Sequence, residues 1–380
     1  MEISFTEEQE MLRKTARDFL AKECPKTKVR QLEEDEDKGY SPELWKGIAE
    51  LGWLGLIIPE EYGGLGMTFQ DLTIILEEIG RNILPGPFFC TVVEGSIPIL
   101  DAGNEELKKE YLPKIAGGEA IFTMALLEAS GKNDASGIAA RAVPKNDSFI
   151  INGTKLFVEM AHVADYLICV TRTKEETSPE DGITLFIVDA KTPGIHYEVM
   201  PTIGMDKLCE VGFRDVVVPK KNVLGELDKG WLIVTRAVRR AAIAKCAESI
   251  GGMQASFDMT VAYCKDRVQY DRPIGAFQAV QHMMADMLIA TDTGKYLVYK
   301  AAWMESESLP CAREVAMAKA YINEACKKVT ERAVALHGGI GTSRDHDIGL
   351  YYRRAKVADI AFGGTDFQRE LVANEIGLRG

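Results

Sequence analysis

The sequence predicts a multi-domain α+β fold: a helical N-terminal domain over 1–116, an antiparallel β domain over 117–228 and a helical-bundle C-terminal domain over 229–380. Three observations carry this. Apolar residues recur at helical spacing near the start, as at Leu12, Ala16 and Phe19. Short β-branched runs separated by turn residues fill the middle. From Gly230 the helical period returns and persists. A chain of 380 residues is also too long for one ordinary compact domain.

Each element has a local cause. Thr6 and Gln9 form a capping-box pattern that starts the first helix. Ser41-Pro42 starts another, with a cap residue and a proline at the first helical position; Leu44, Ile48 and Leu51 follow at helical spacing. Further helices are expected over 71–81 and 105–115. The charged stretch 32–38, between the first helix and the one that starts at Ser41-Pro42, reads as a solvated loop. In the middle, the runs 149–151 and 154–158 flank Asn152-Gly153, which predicts a two-residue hairpin turn there. The runs 166–170, 183–188 and 216–218 are further strands. Long helices are expected over 230–266, 277–306 and 312–337.

Composition narrows the function classes. Hydrophobic residues make up 46% and charged residues 27%, as in an ordinary globular protein. The formal net charge of -12 repels phosphate backbones, so neither nucleic acid nor an anionic membrane is expected as a partner. No apolar run approaches the roughly 20 residues of a membrane span. Residues 1–10 carry four glutamates and no Lys or Arg, unlike a signal or transit peptide. The eight cysteines are scattered without a C-x-x-C pair, which suits a reducing compartment; a cytoplasmic location is expected. No G-x-G-x-x-G follows a strand, and there is no Walker loop and no G-x-S-x-G elbow. The five histidines lack metal-site spacing, so no metal is expected. Composition and pattern alone leave an α+β protein, enzyme or not.

Five segments, in order, carry more. They are Pro59-Glu60-Glu61-Tyr62-Gly63-Gly64-Leu65-Gly66, 150–158 (IINGTKLFV), 213–231 (FRDVVVPKKNVLGELDKGW), 266–287 (DRVQYDRPIGAFQAVQHMMADM) and 336–356 (LHGGIGTSRDHDIGLYYRRAK). Together they resemble the acyl-CoA dehydrogenase family across nearly the whole chain. The resemblance implies an FAD-dependent oxidoreductase acting on the CH–CH bond of an acyl-CoA thioester. It also implies a homotetramer built as a dimer of dimers, and an electron-transferring flavoprotein as acceptor. Arg267 and Gln278 match positions that hold the FAD pyrophosphate and adenosine side across the dimer, and Tyr270 lies in the same motif. A guanidinium suits a pyrophosphate because its donors fork onto two oxygens. Gly338 and Gly339 match a backbone turn against the adenine half, Thr365 a threonine near the pyrophosphate, and Phe157 and Glu159 positions beside the isoalloxazine ring. There are departures. Leu127 stands where the family has a hydroxyl near the flavin pyrimidine, Asn133 replaces a CoA-contacting serine, Ala335 replaces a glutamine, and Glu159 replaces a threonine near flavin N5. Two readings of Glu159 stand, tuning of the flavin or a solvent-facing carboxylate.

The largest departure concerns the base. Removing the weakly acidic α-proton of a thioester needs a carboxylate over that carbon. The family's aromatic-Glu-Gly-Thr motif supplies it, and the matching residues here are Phe362-Gly363-Gly364-Thr365. The alternate position used by some members maps to Ala241. Gly363 keeps a backbone N–H that could polarise the thioester carbonyl. Members acting on alicyclic enoyl-CoA thioesters omit the α-base and use a carboxylate at the far end of the acyl pocket. That end maps to 87–94, with Cys90 and Thr91 expected to face the pocket, Thr91 and Glu94 as the catalytic candidates there, and Glu94 as the nearest carboxylate, pointing either inward or to the surface. Phe88 and Phe89 serve equally as pocket wall or plain core. Two other readings remain at this level: a non-catalytic FAD- or CoA-binding subunit of a heteromeric enzyme, and a flavin monooxygenase-like activity on the same fold.

Overall fold

The structure, a computed structural model, describes residues 5–174 and 178–378; the first four residues of the acidic start lie outside the described residues. Eleven α-helices are found among the described residues. They are α1 (Glu7–Glu23), α2 (Lys26–Glu34), α3 (Pro42–Glu50), α4 (Phe69–Asn82), α5 (Ile97–Ala102), α6 (Glu105–Ala116), α7 (Trp231–Asp266), α8 (Gln278–Ser306), α9 (Ala312–His337), α10 (Ile348–Ile360) and α11 (Thr365–Glu375). The strands are β1 (Phe122–Ala125), β2 (Arg141–Lys145), β3 (Ser148–Glu159), β4 (Tyr166–Arg172), β5 (Ile183–Asp189), β6 (Ile195–Met200), β7 (Leu208–Pro219), β8 (Val223–Leu224), β9 (Val268–Gln269) and β10 (Arg272–Pro273). The chain forms two compact units: Met1–Arg30 with Thr68–Leu84 and Ala242–Gly380, and Gln31–Met67 with Pro85–Ala241.

The first unit is a helical bundle. Thr6 and Gln9 make the expected reciprocal capping box on α1, and α4 starts with a second one between Thr68 and Asp71. The central helix α9 buries a stripe at helical spacing, including Val315, Ile322, Cys326 and Val329, against α8, α10 and α11. Glycine brings α4 and α7 together. A Cβ at Gly80 would collide with the Glu248 carbonyl, and one at Gly251 with the Glu77 carbonyl. Backbone cannot yield as a flexible side chain can, so Gly80→Ala is expected to destabilise the fold by about 3 kcal/mol, the upper end of ordinary overpacking. Calorimetry checks this; an unchanged Tm would show that the crossing has room for a methyl group.

The second unit holds the sheet, in the order β6-β7-β3-β2-β4-β5-β8 with β1 added against β4. Its core joins Leu112 and Ile115 of α6 to Phe122, Ile168, Val170, Leu185 and Ile187. Tyr111, Phe122 and Tyr166 pack as a ring trio at centroid distances of 4.9–5.6 Å.

Three expectations need correction. The sheet is mixed rather than purely antiparallel, because β4 pairs parallel with both β1 and β2. Asn152-Gly153 is not a turn but an irregularity inside the continuous strand β3. The β2–β3 hairpin turns instead at Asn146-Asp147, between paired Lys145 and Ser148, with Asn146 at φ 54°. Asn152 is held in the sheet by two bonds to Asp215, its amide donating to the carboxylate at 3.1 Å and its carbonyl accepting the backbone N–H at 2.8 Å. Gly153, at φ 152°, lies against Ala140, where a Cβ would clash. The stretch 32–38 is not all loop: α2 runs to Glu34, and Leu32 and Glu33 are buried.

Candidate functional site

In the first unit, the last turn of α7 ties the arginine motif to the glycine turn. The Arg267 N–H donates to the Tyr263 carbonyl at 2.8 Å. The Tyr263 ring stacks on His337 at 4.4 Å, and its hydroxyl donates to the His337 carbonyl at 3.3 Å. His337 is buried, lies 4.8 Å from His346, and directly precedes Gly338. Burial holds the His337 imidazole below its usual pKa, so it is neutral at pH 7. Gly338, at φ 64° and ψ -140°, has a conformation that suits glycine, and Cβ atoms built on Gly338 and Gly339 meet nothing within 4 Å. The turn is therefore an open surface of backbone. Beyond Arg267, β9 and β10 form a short exposed hairpin whose turn residues Tyr270 and Asp271 have φ 53° and 60°. The Tyr270 ring is 86% exposed, and Gln278 is exposed at the start of α8. Exposed donors beside an open glycine turn are what a dinucleotide's phosphates and adenine require, and FAD fits these residues. Thr365 opens α11 and donates to Asp359 at 3.4 Å.

Gly363 is buried, and its φ is 99°. Its carbonyl accepts from the Asn323 amide at 3.4 Å, and the Phe362 carbonyl accepts from Gln368 at 3.0 Å. Among the described residues no acceptor is found for the Gly363 N–H.

In the second unit, the flavin-facing candidates are set by a buried clamp that sequence reasoning missed. Lys155, 0% exposed, donates to the Glu128 carboxylate at 2.7 Å and to the Leu126 carbonyl at 3.1 Å. Glu128 also accepts the Ala139 and Ala140 N–H groups, both at 3.0 Å. With both charges satisfied, the pair fixes the segment around Leu127, whose carbonyl accepts the Leu156 N–H at 2.9 Å. The signal was available: Lys155 shares the inward phase of β3 with Ile151. Phe157 sits at φ 58° and is 50% exposed in a second irregularity of β3, and Glu159 ends the strand half-buried. Asn133 lies exposed in the loop before β2.

The far-end candidates lie on one π-helical turn, Cys90–Ser96, packed against β1. The Thr91 hydroxyl accepts the Phe122 N–H at 3.2 Å and donates to the Phe122 carbonyl at 3.3 Å. Thr91 is thus committed to holding β1 through both backbone groups of Phe122, which leaves Glu94 as the carboxylate at this end. Glu94 is not a surface residue; it is 7% exposed and accepts from the Thr123 hydroxyl at 3.5 Å. The Cys90 thiol donates to the Pro87 carbonyl at 3.3 Å. Burial pushes it well above its usual pKa, and the Glu159 and Glu94 charges push the same way. Cys90, Glu94 and Glu159 thus form one neighbourhood, with the thiol protonated. Phe88 and Phe89 are both buried. Among the described residues no metal-binding cluster occurs, and no helix is long and apolar enough to cross a membrane.

Comparison with known proteins places this geometry. The acyl-CoA dehydrogenase N-terminal, middle and C-terminal domain families match residues 6–119, 123–216 and 228–377. The chain is 32% identical to the 3-(aryl)acrylate reductase of Clostridium sporogenes, over 98% of this chain and 99% of that protein. It is also 32% identical to the caffeyl-CoA reductase-Etf complex subunit CarC of Acetobacterium woodii, over 97% and 98%. The structure of butyryl-CoA dehydrogenase from Megasphaera elsdenii superposes with a TM-score of 0.92 at 30% identity, covering both chains completely. Fold and site define an FAD-dependent oxidoreductase that acts on CH–CH groups of acyl-CoA thioesters. The chain belongs to the acyl-CoA dehydrogenase family.

Proposed function

We propose that this enzyme oxidises or reduces a CoA thioester outside straight-chain chemistry, with an alicyclic or conjugated acyl group, and that Glu94 handles the proton. The observation that carries the reading is a pair of facts: glycine and alanine occupy 363 and 241, while Glu94 is buried beside Cys90 and Thr123. By the family correspondence, the Gly363 N–H polarises the thioester carbonyl, Asn133 contacts CoA, and Cys90 lines the acyl end with Thr91 behind it. FAD, held by Arg267, Gln278 and the Gly338-Gly339 turn, would supply the hydride acceptor. Glu94 takes the proton, from a ring carbon of an alicyclic enoyl thioester remote from the carbonyl, so that the product is a conjugated diene. The reductase name of the A. woodii relative, for a conjugated aryl thioester, supports this substrate class, and its Etf complex supports an electron-transferring flavoprotein as partner. A homotetramer in a cytoplasmic setting completes the reading.

Anaerobic flavin bleaching against straight-chain, branched, cyclic and aryl-conjugated acyl-CoA thioesters, run in both directions, tests it. Bleaching by no thioester would favour a non-catalytic subunit, and oxygen consumption by the reduced flavin would favour a monooxygenase-like activity. Arg267→Ala is expected to weaken FAD retention by about 1.5–3 kcal/mol, the worth of a charge-assisted bond. Equilibrium dialysis against free FAD reads this; wild-type retention in the variant would remove Arg267 from the cofactor site.

A further inference from the structure

The buried stripe of α9 carries two polar residues where apolar ones would pack. Lys319 is 1% exposed and Asn323 3%. One turn apart, they are joined: the Lys319 ammonium donates to the Asn323 carbonyl oxygen at 2.6 Å and to the Ala358 carbonyl, in the last turn of α10, at 2.7 Å. Fixing the Asn323 oxygen on Lys319 turns its amide nitrogen outward, where it donates to the Gly363 carbonyl at 3.4 Å. The chain therefore runs from α9 through the end of α10 to the turn that precedes α11. A buried lysine costs several kcal/mol of desolvation unless its donors are satisfied. A methionine would fill the same space in a helical bundle without that cost, so stability alone does not account for the pair.

We propose that Lys319 and Asn323 are positioning residues that pin the peptide following Gly363, so that, with the Phe362 carbonyl of the preceding peptide held by Gln368, the Gly363 N–H is presented to the thioester carbonyl. This rests on the reading of Gly363 as the thioester donor. The Gly363 carbonyl is anchored on one side by Asn323, and the preceding Phe362 carbonyl by Gln368. Between those anchors a residue at φ 99° would otherwise be free to rotate. Burial lowers the Lys319 pKa to about 8, with Cys246 and Asp359 favouring the charge, as does Cys326, and Lys245 opposing it. The sign follows. The folded value lies below the ordinary 10.5. The cost of the buried charge is then fully present below pH 8 and is relieved as pH rises from about 8 to 10.5. Lys319→Met should remove that rise from the stability profile.

The test is hydrogen exchange of the backbone amides of 361–366 in the FAD-loaded holoenzyme. Asn323→Asp keeps an acceptor for Lys319 and deletes the donor to Gly363. It is expected to speed exchange in the turn roughly tenfold, the loss of one modest bond, while α9 amides keep wild-type protection and the variant stays folded with a modestly lowered Tm. Asn323→Ser, too short to span the gap, should do the same if the aspartate variant folds poorly. Wild-type exchange in a folded variant of either kind overturns the proposal. The infrared band of butyryl-CoA labelled with ¹³C at the thioester carbonyl separates the two readings. A loosened turn with the band shifted towards free butyryl-CoA supports both. A loosened turn with an unmoved band keeps the strut and removes Gly363 as the thioester donor.

Discussion

Glu94→Gln should reduce the native reaction by roughly 10²–10⁴-fold, the usual contribution of a positioned general acid or base. Glutamine keeps the size of the side chain and can still accept from the Thr123 hydroxyl, which lies 3.5 Å from the Glu94 carboxylate. It cannot take up a proton. The measurement is anaerobic flavin reduction by whichever thioester bleaches the wild-type enzyme, with bound FAD quantified in the same sample. Thr91→Val supplies the contrast. Its hydroxyl serves both backbone groups of Phe122, so its removal should cost about 1–3 kcal/mol of stability by leaving a buried N–H unpaired. The remaining chemistry should be nearly intact. Loss of chemistry in Thr91→Val without loss of stability, or a Glu94→Gln rate within a few-fold of wild type, would remove Glu94 as the base.

Much of the bundle was legible because its signals are local. The capping box at Thr6 and the proline start at Ser41-Pro42 act on adjacent backbone groups, and α7, α8 and α9 fall within a residue of their expected limits. The hairpin failed where a local signal met a longer-range partner. Asn152-Gly153 has the composition of a turn, yet the bonds from Asn152 to Asp215, 63 residues away, keep both residues in the sheet. The direction of Glu94 stayed open in the sequence for a related reason. Spacing alone cannot show that a π-helical turn widens the backbone and folds a carboxylate against β1. The identity of residue 363 was plain from the motif around it. Its left-handed backbone and the two buried polar residues that hold it come only from the packing of α9, α10 and α11.

Gly363→Glu should give a less stable protein that nonetheless dehydrogenates saturated straight-chain thioesters better than wild type. Two effects compete. At φ 99°, a Cβ on residue 363 would lie 2.6 Å from both the Gln368 amide nitrogen and the Phe367 ring. Side chains rarely adopt that backbone, and holding one there costs about 1–3 kcal/mol. Neither obstacle is backbone, however: the flexible end of Gln368 can move aside at the loss of its bond to the Phe362 carbonyl, and the Phe367 ring must turn with it. A domain of ordinary stability has about 5–15 kcal/mol in hand, so the variant should remain folded. Strain of this kind falls on folding, whereas a carboxylate over the α-carbon falls on the barrier, where a general base contributes roughly 10²–10⁴-fold. The gain in chemistry should therefore exceed the loss in population. Calorimetry should show a lowered Tm, and anaerobic bleaching with butyryl- and octanoyl-CoA should show faster flavin reduction than the wild-type background. A folded variant with no gain would mean that a glutamate at 363 does not reach the α-carbon. Wild-type bleaching already as fast as the variant's would mean that another carboxylate of this chain takes the α-proton, and the missing-base reading would fall with it.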